Sequence, residues 1–155
     1  MMFYTHLVFG FLLSLLSMNF INVENILMFF SGVLIGSIIV DIDSFKSFIG
    51  RKSLGISFLV QLITGHRGIF HSLLFAVLFS GLLLLFNATF AIGFFIGYIS
   101  HLMIDTLNIQ GIRWFYPFSK LRFKGFIEVN GFAETLIFFL ILVLDVVYAY
   151  YLFFH

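Results

Sequence analysis

The chain has 155 residues, is 62% hydrophobic and 10% charged, and carries a net charge of +1. An average soluble domain is roughly 25% charged, and a small soluble protein could not hide this much apolar surface. The composition therefore excludes a water-soluble domain and predicts a single all-α domain, a polytopic integral membrane protein spanning residues 1–155.

Other exclusions narrow the chemistry. No basic run suits nucleic acid, so no nucleic-acid partner is expected. The chain has no cysteine, which removes disulfides and thiolate ligands. Any metal must sit on His, Asp, Glu, backbone oxygen or water, a donor set suited to zinc, manganese, iron or magnesium.

In chain order, residues 3–20 form the first predicted span, with His6 near its start. No Lys or Arg precedes it and no small-residue cleavage pattern follows, so it is expected to be retained as a helix rather than removed as a signal peptide. A polar turn holds Asn22, Glu24 and Asn25. Residues 26–40 form the second span and run into Asp41 and Asp43. Residues 44–52 are polar and carry Lys46, Arg51 and Lys52. Residues 54–64 are apolar but too short to cross, which predicts a re-entrant or interfacial segment.

The stretch HRGIFHS follows, bringing His66, Arg67 and His71, and residues 71–86 are the third span. A turn at residues 87–89 leads to the fourth, residues 90–107. Residues 108–130 form a polar loop with Arg113, Lys120, Arg122, Lys124 and the single proline. Residues 132–154 are the fifth span, opened by Glu134.

The charges give a topology. All eight Lys and Arg residues fall between spans two and three or between spans four and five. With five crossings, both loops and the N-terminus share one side, which the positive-inside rule makes cytoplasmic. His6, Asp41, Asp43, His66, His71, His101, Asp105 and Glu134 all fall at span ends on that same side. Chance placement over antiparallel helices would divide them between the two faces.

The centre of this set is His101 with Asp105. Residues four apart lie on one helix face, so this pair can address one ion. A charge in a membrane costs roughly 2.5–3.5 kcal/mol even on lenient scales, and a partner or a task must offset it. For Asp41 and Asp43, a nearby cation would relieve the unfavourable dipole at a helix C-terminus. His66 and His71 can share a site only if His66 lies in the loop. For each of these residues the plain alternative is a hydrogen-bonded packing role. Arg67 could anchor the cytoplasmic side or hold a phosphate. Asp145 lies deeper on the fifth span, as a buried hydrogen-bonding group or part of a proton path.

The motif order resembles a known family. His6, VDID, HRGIFHS, GYISHLMIDTLN with Gly111, and GFAET at 131–135 together resemble the YdjM-like family of inner-membrane proteins. That family is described as metal-dependent hydrolases, a label drawn from its ligand pattern. The resemblance carries over to His6, Asp41, Asp43, His66, Arg67, His71, His101, Asp105, Asn108 and Glu134. More distantly, the order is similar to zinc-dependent phospholipase C and P1-type nucleases. An HxxxE element of those enzymes would need His where this chain has Asn130.

The expected function is hydrolysis of a phosphoester on a lipid or lipid-linked substrate at the cytoplasmic face. One or two divalent ions, zinc foremost, would be held by His101, Asp105, Asp41 and His66 or His71. Asp43 or Glu134 would take a proton from water or complete a second metal shell, and Arg67, with Lys124 behind it, would neutralise the phosphate. Two alternatives stand beside it. A metal transporter or sensor would place its ligands nearer mid-membrane, and a structural protein would use the polar residues only to join helices.

Overall fold

The computed structural model describes residues 1–44, 47, 50, 52, 57–58 and 68–154. Five α-helices are formed among them: α1 (Phe3–Ser17), α2 (Ile26–Ile39), α3 (Leu73–Leu84), α4 (Ala88–Thr106) and α5 (Phe132–Phe154). No β-strand is present among the described residues, apart from two isolated bridges in the loop after α4. Asn25, Ser72 and Asn87 start α2, α3 and α4. The side-chain oxygen of each accepts the N–H three residues on, from Met28, Phe75 and Phe90, which satisfies a donor the first turn would otherwise leave open. A 3₁₀ turn, Val40–Asp43, extends α2, and another, Ile69–His71, precedes α3.

Three segments are long and apolar enough to cross a bilayer: Ile26–Asp43, Ala88–Thr106 and Phe132–Leu152. The other two helices, Phe3–Ser17 and Leu73–Leu84, have 15 and 12 residues. At 1.5 Å per residue they reach roughly 22 and 18 Å, against a hydrocarbon core of about 30 Å. Among the described residues five helices thus match the five predicted spans, but only three segments, α2 counted with its 3₁₀ extension, have full crossing length. The predicted segment at residues 54–64 lies outside the described residues, apart from Ser57 and Phe58.

Helix α4 is the axle. It packs against α1, α2 and α3, while α5 packs on α1. Its tightest partner is α2, and the reason lies in four glycines. A Cβ at Gly32 or Gly36 would strike the carbonyl oxygen of Phe90 or Phe94, and one at Gly93 or Gly97 would strike that of Phe29 or Val33. Each helix thus carries a Gly-x-x-x-Gly face against the other, the pattern that lets apolar helices approach backbone to backbone. Filling any of these places would force the axes apart, at a cost of about 1–3 kcal/mol or more. This close seam brings the C-terminal ends of α2 and α4 together. Phe94, Tyr98, Leu102, Val40, Ala76 and Ile112 form the apolar core beside it.

The loop after α4 has more structure than its polarity predicts. Ile112 and Phe123 exchange backbone hydrogen bonds, and Gly111 and Gly125 both donate to the carbonyl of Asn108. Gly111 adopts φ 60°, a left-handed conformation that glycine tolerates best. The Leu73 N–H donates to the Trp114 carbonyl at 2.8 Å, tying this loop to the start of α3.

Candidate metal centre

The site lies where the α2 and α4 C-terminal ends meet the α1 start and the turn before α3. His101 is fully buried, and its Nδ1 faces the carbonyl of Ser37 on α2 at 2.7 Å. A carbonyl can only accept, so Nδ1 carries the proton and Nε2 is left as the donor atom for a cation. That Nε2 makes no hydrogen bond among the described residues. It points at Asp105 Oδ2, 3.9 Å away, and Asp41 Oδ1, 3.8 Å away.

His71 repeats the arrangement from the other side. Its Nδ1 contacts Asp43 Oδ2 at 2.9 Å, and both groups are fully buried. Its Nε2 faces Asp105 Oδ2 at 3.6 Å and Asp41 Oδ1 at 3.9 Å. Two imidazoles, each fixed at Nδ1 by an acceptor, therefore aim Nε2 at the same two carboxylate oxygens. A metal-binding histidine is ordinarily oriented this way, through a hydrogen bond from its second nitrogen. Lone pairs facing carboxylates repel unless positive charge lies between them. A proton can supply that charge, and so can a metal ion.

The dimensions suit an ion. Donor atoms about 2.0–2.1 Å from a tetrahedral zinc lie roughly 3.4 Å from one another. The observed separations of 3.6–3.9 Å need only a small inward rotation. His71, His101 and Asp105 each offer an atom within 4.8 Å of the others, and so do His6, Asp41 and His101.

His6 stacks on His101, with ring centroids 3.8 Å apart and planes 6° from parallel. Its Nε2 lies 3.5 Å from Asp105 Oδ1, and the Met1 ammonium lies 2.8 Å from the same oxygen. Asp105 thus turns Oδ2 toward His71 and His101 and Oδ1 toward His6 and a cationic nitrogen. The carboxylate of Asp105 is itself 1% exposed, whereas Asp41 is 22% exposed and forms the open side of the cluster.

His71 lies ahead of α3, outside the spanning segments. Burial works to lower its pKa, but the neighbouring carboxylates of Asp105 and Asp43 outweigh that and hold it at about 9. Without an ion, the proton on this ring is the positive charge that the cluster keeps.

The predicted residues fall into three groups. His6, Asp41, His71, His101 and Asp105 are brought together around one volume, and Asp43 orients His71 from behind. Glu134 is fully buried close by, but its oxygens accept the N–H groups of Met2 at 2.5 Å and Asn130 at 2.8 Å. It joins the starts of α1 and α5. His66 and Arg67 lie outside the described residues. Sequence reasoning missed Ser37, because its contribution is a main-chain carbonyl. The only trace is its place beside Gly36 in the seam. Asp145 is buried on α5, and among the described residues its Oδ1 has no hydrogen-bond partner.

Fold and site together define a helical membrane protein with a buried histidine–carboxylate cluster at one end. The family described as YdjM inner membrane protein matches residues 1–154, and the chain belongs to that family. A Bacillus subtilis protein named "Uncharacterized protein YvsG" is 30% identical over 154 residues, covering 97% of this chain and 95% of that one. "Inner membrane protein YdjM" of Escherichia coli K12 and that of Shigella flexneri are each 36% identical over 91 residues. Those matches cover 54% of this chain and 46% of each relative, so the matched stretch spans about half the length of the enterobacterial proteins. No solved structure matches.

Proposed function

We propose that this chain is a membrane-embedded, metal-dependent hydrolase that cleaves a phosphoester at the cytoplasmic face. The observation that supports it best is the pair of imidazoles, His71 and His101, fixed at Nδ1 and aimed by Nε2 at Asp105 and Asp41. Two histidines and a carboxylate that leave a position open are the ligand set of catalytic rather than closed structural zinc sites. The absence of cysteine and the nitrogen–oxygen donor set favour zinc, with manganese, iron or magnesium as alternatives.

A divalent ion held there would supply Lewis acidity, lowering the pKa of water and drawing charge from a phosphoryl oxygen. The protein's own groups do the rest. Ser37 and Asp43 hold the two imidazoles in one tautomer and one orientation. Asp41, partly exposed on the open side, would accept a proton from an approaching water. Asp105 neutralises the charge of the centre. Arg67 or Lys124 would meet the substrate phosphate. The substrate class follows from position: a head group reaches the cluster at the end of the helices while its chains stay in lipid.

The test is phosphate release from phosphatidic acid and from a soluble aryl phosphate by purified, zinc-loaded protein in bilayers, beside His101→Ala. Wild type should turn over at least one substrate, and the variant should lose about 100-fold or more of that rate. A metal-loaded wild type that cleaves neither would overturn the hydrolase reading and leave transport or sensing as the use of the ion.

A further inference from the structure

The loop between α4 and α5 lies at the same end of the molecule but outside the cluster. Residues 109–127 carry Arg113, Lys120, Arg122 and Lys124 and contain no Asp or Glu. The same stretch exposes bulky apolar groups: Phe118 and Phe126 are each 83% exposed, and Leu121 is 60% exposed. In water these rings would be costly to leave uncovered. At a bilayer surface they sit at headgroup level, where cations also find lipid phosphates.

The loop holds a fixed shape. Besides its backbone pairing, the Trp114 indole donates to Thr106 Oγ1 at 2.8 Å, and the Arg113 guanidinium sits 4.8 Å above the Tyr116 ring. Between loop and helix lies an apolar cavity of about 430 Å³, lined by Met103, Thr106, Leu107, Trp114, Phe115 and Phe123. Phe123 stands between Arg122 and Lys124 in the chain. An apolar recess in a loop of uniformly positive charge is complementary to a molecule with an apolar body and an anionic head.

We propose that this loop and cavity bind an anionic phospholipid, with part of an acyl chain in the cavity and the phosphate head among Lys120, Arg122 and Lys124. A zwitterionic lipid could fill the cavity equally well, but its own cationic group would cancel most of the attraction. Each Lys or Arg near a charged bilayer surface contributes enough for the lipid classes to be told apart. The inference requires no metal and no turnover: it shares Lys124 with the hydrolase reading, but its readout is lipid contact at Trp114, which a failure of catalysis would leave unchanged.

Trp114 is the only tryptophan, so its fluorescence reports this cavity alone. The full chain is reconstituted in phosphatidylcholine vesicles holding a fixed share of phosphatidylglycerol, with bromine on the acyl chains of one lipid or the other. At equal mole fraction, brominated phosphatidylglycerol should quench Trp114 with an apparent preference of about tenfold over brominated phosphatidylcholine at low salt. The preference should fall toward one in the triple variant Lys120→Gln, Arg122→Gln, Lys124→Gln, whose side chains are all exposed. Equal quenching by both lipids, or a preference that survives the triple variant, overturns the proposal. Quenching by neither also overturns it, because the cavity is then closed to lipid chains.

Discussion

Asp105, near the end of α4, and Glu134, at the start of α5, are buried carboxylates at the same end of the molecule, 1% and 0% exposed. Their surroundings differ in kind. Glu134 accepts two backbone N–H groups, one from each of two chain segments. Asp105 is ringed by three imidazoles and the Met1 ammonium. A carboxylate held by main-chain donors is stabilised without any further cation. One placed among lone-pair-bearing imidazoles creates a site that is stable only with positive charge in it. Burial and level in the membrane are alike for both, so neither property identifies a ligand. The neighbours do.

The sharpest way to break the comparison is to remove Asp105. Asp105→Ala should abolish metal binding, lowering affinity by more than about 100-fold, because the change takes away a ligand and leaves His71 and His101 with less negative charge to offset the ion. Elemental analysis of folded, reloaded protein beside wild type measures this directly. A variant that keeps its full complement of metal would show that Asp105 is a packing residue and that the cluster binds its ion elsewhere.

Asp43 supplies the next effect. Asp43 Oδ2 lies 2.9 Å from His71 Nδ1 and holds that ring from behind, so Asp43→Asn should weaken metal binding about 10–100-fold without changing the stoichiometry. The pH dependence carries a second signature. His71 in the metal-free site holds its proton up to about 9, and an ion must displace that proton. Apparent affinity should therefore rise with pH, by up to about tenfold per unit below 9, and level off above it. Removing the Asp43 charge lowers the His71 pKa, so the plateau in Asp43→Asn should begin at lower pH. Calorimetric titration with zinc at several pH values reads both effects, and a flat profile would mean that His71 is not displaced from its proton by the ion.

Much of this was legible in residue spacing. The i, i+4 relation of His101 and Asp105 and the fall of every ionisable cluster residue at one side of the spans led to the same end of the molecule that the structure builds. What spacing could not show was which carboxylate would face which partner. Asp41 and Asp43 differ by two residues, and only the 3₁₀ turn sends one to the open side and the other behind His71. Glu134 carries the same chemistry as Asp105, and nothing in its sequence context reveals that backbone N–H groups would reach it first. The Ser37 carbonyl and the glycine seam share a cause: both act through main chain, which hydropathy and charge do not register. In retrospect, Gly-x-x-x-Gly in both α2 and α4 was the readable sign of their contact.

The smallest effect belongs to Glu134, and it sharpens the comparison most. In Glu134→Gln one oxygen still accepts an N–H, but the other acceptor becomes an amide NH₂ facing a backbone donor. Leaving one buried N–H unsatisfied should cost about 1–3 kcal/mol, read as a lower unfolding midpoint in detergent. Metal content should stay at the wild-type value, because the proposed ligands His71, His101 and Asp105 are all untouched. The pairing of outcomes matters more than either alone. Lost stability with metal retained makes Glu134 the tether between α1 and α5. Metal lost in Glu134→Gln as fully as in Asp105→Ala would bring Glu134 into the ligand set, and the two carboxylates would then do the same work.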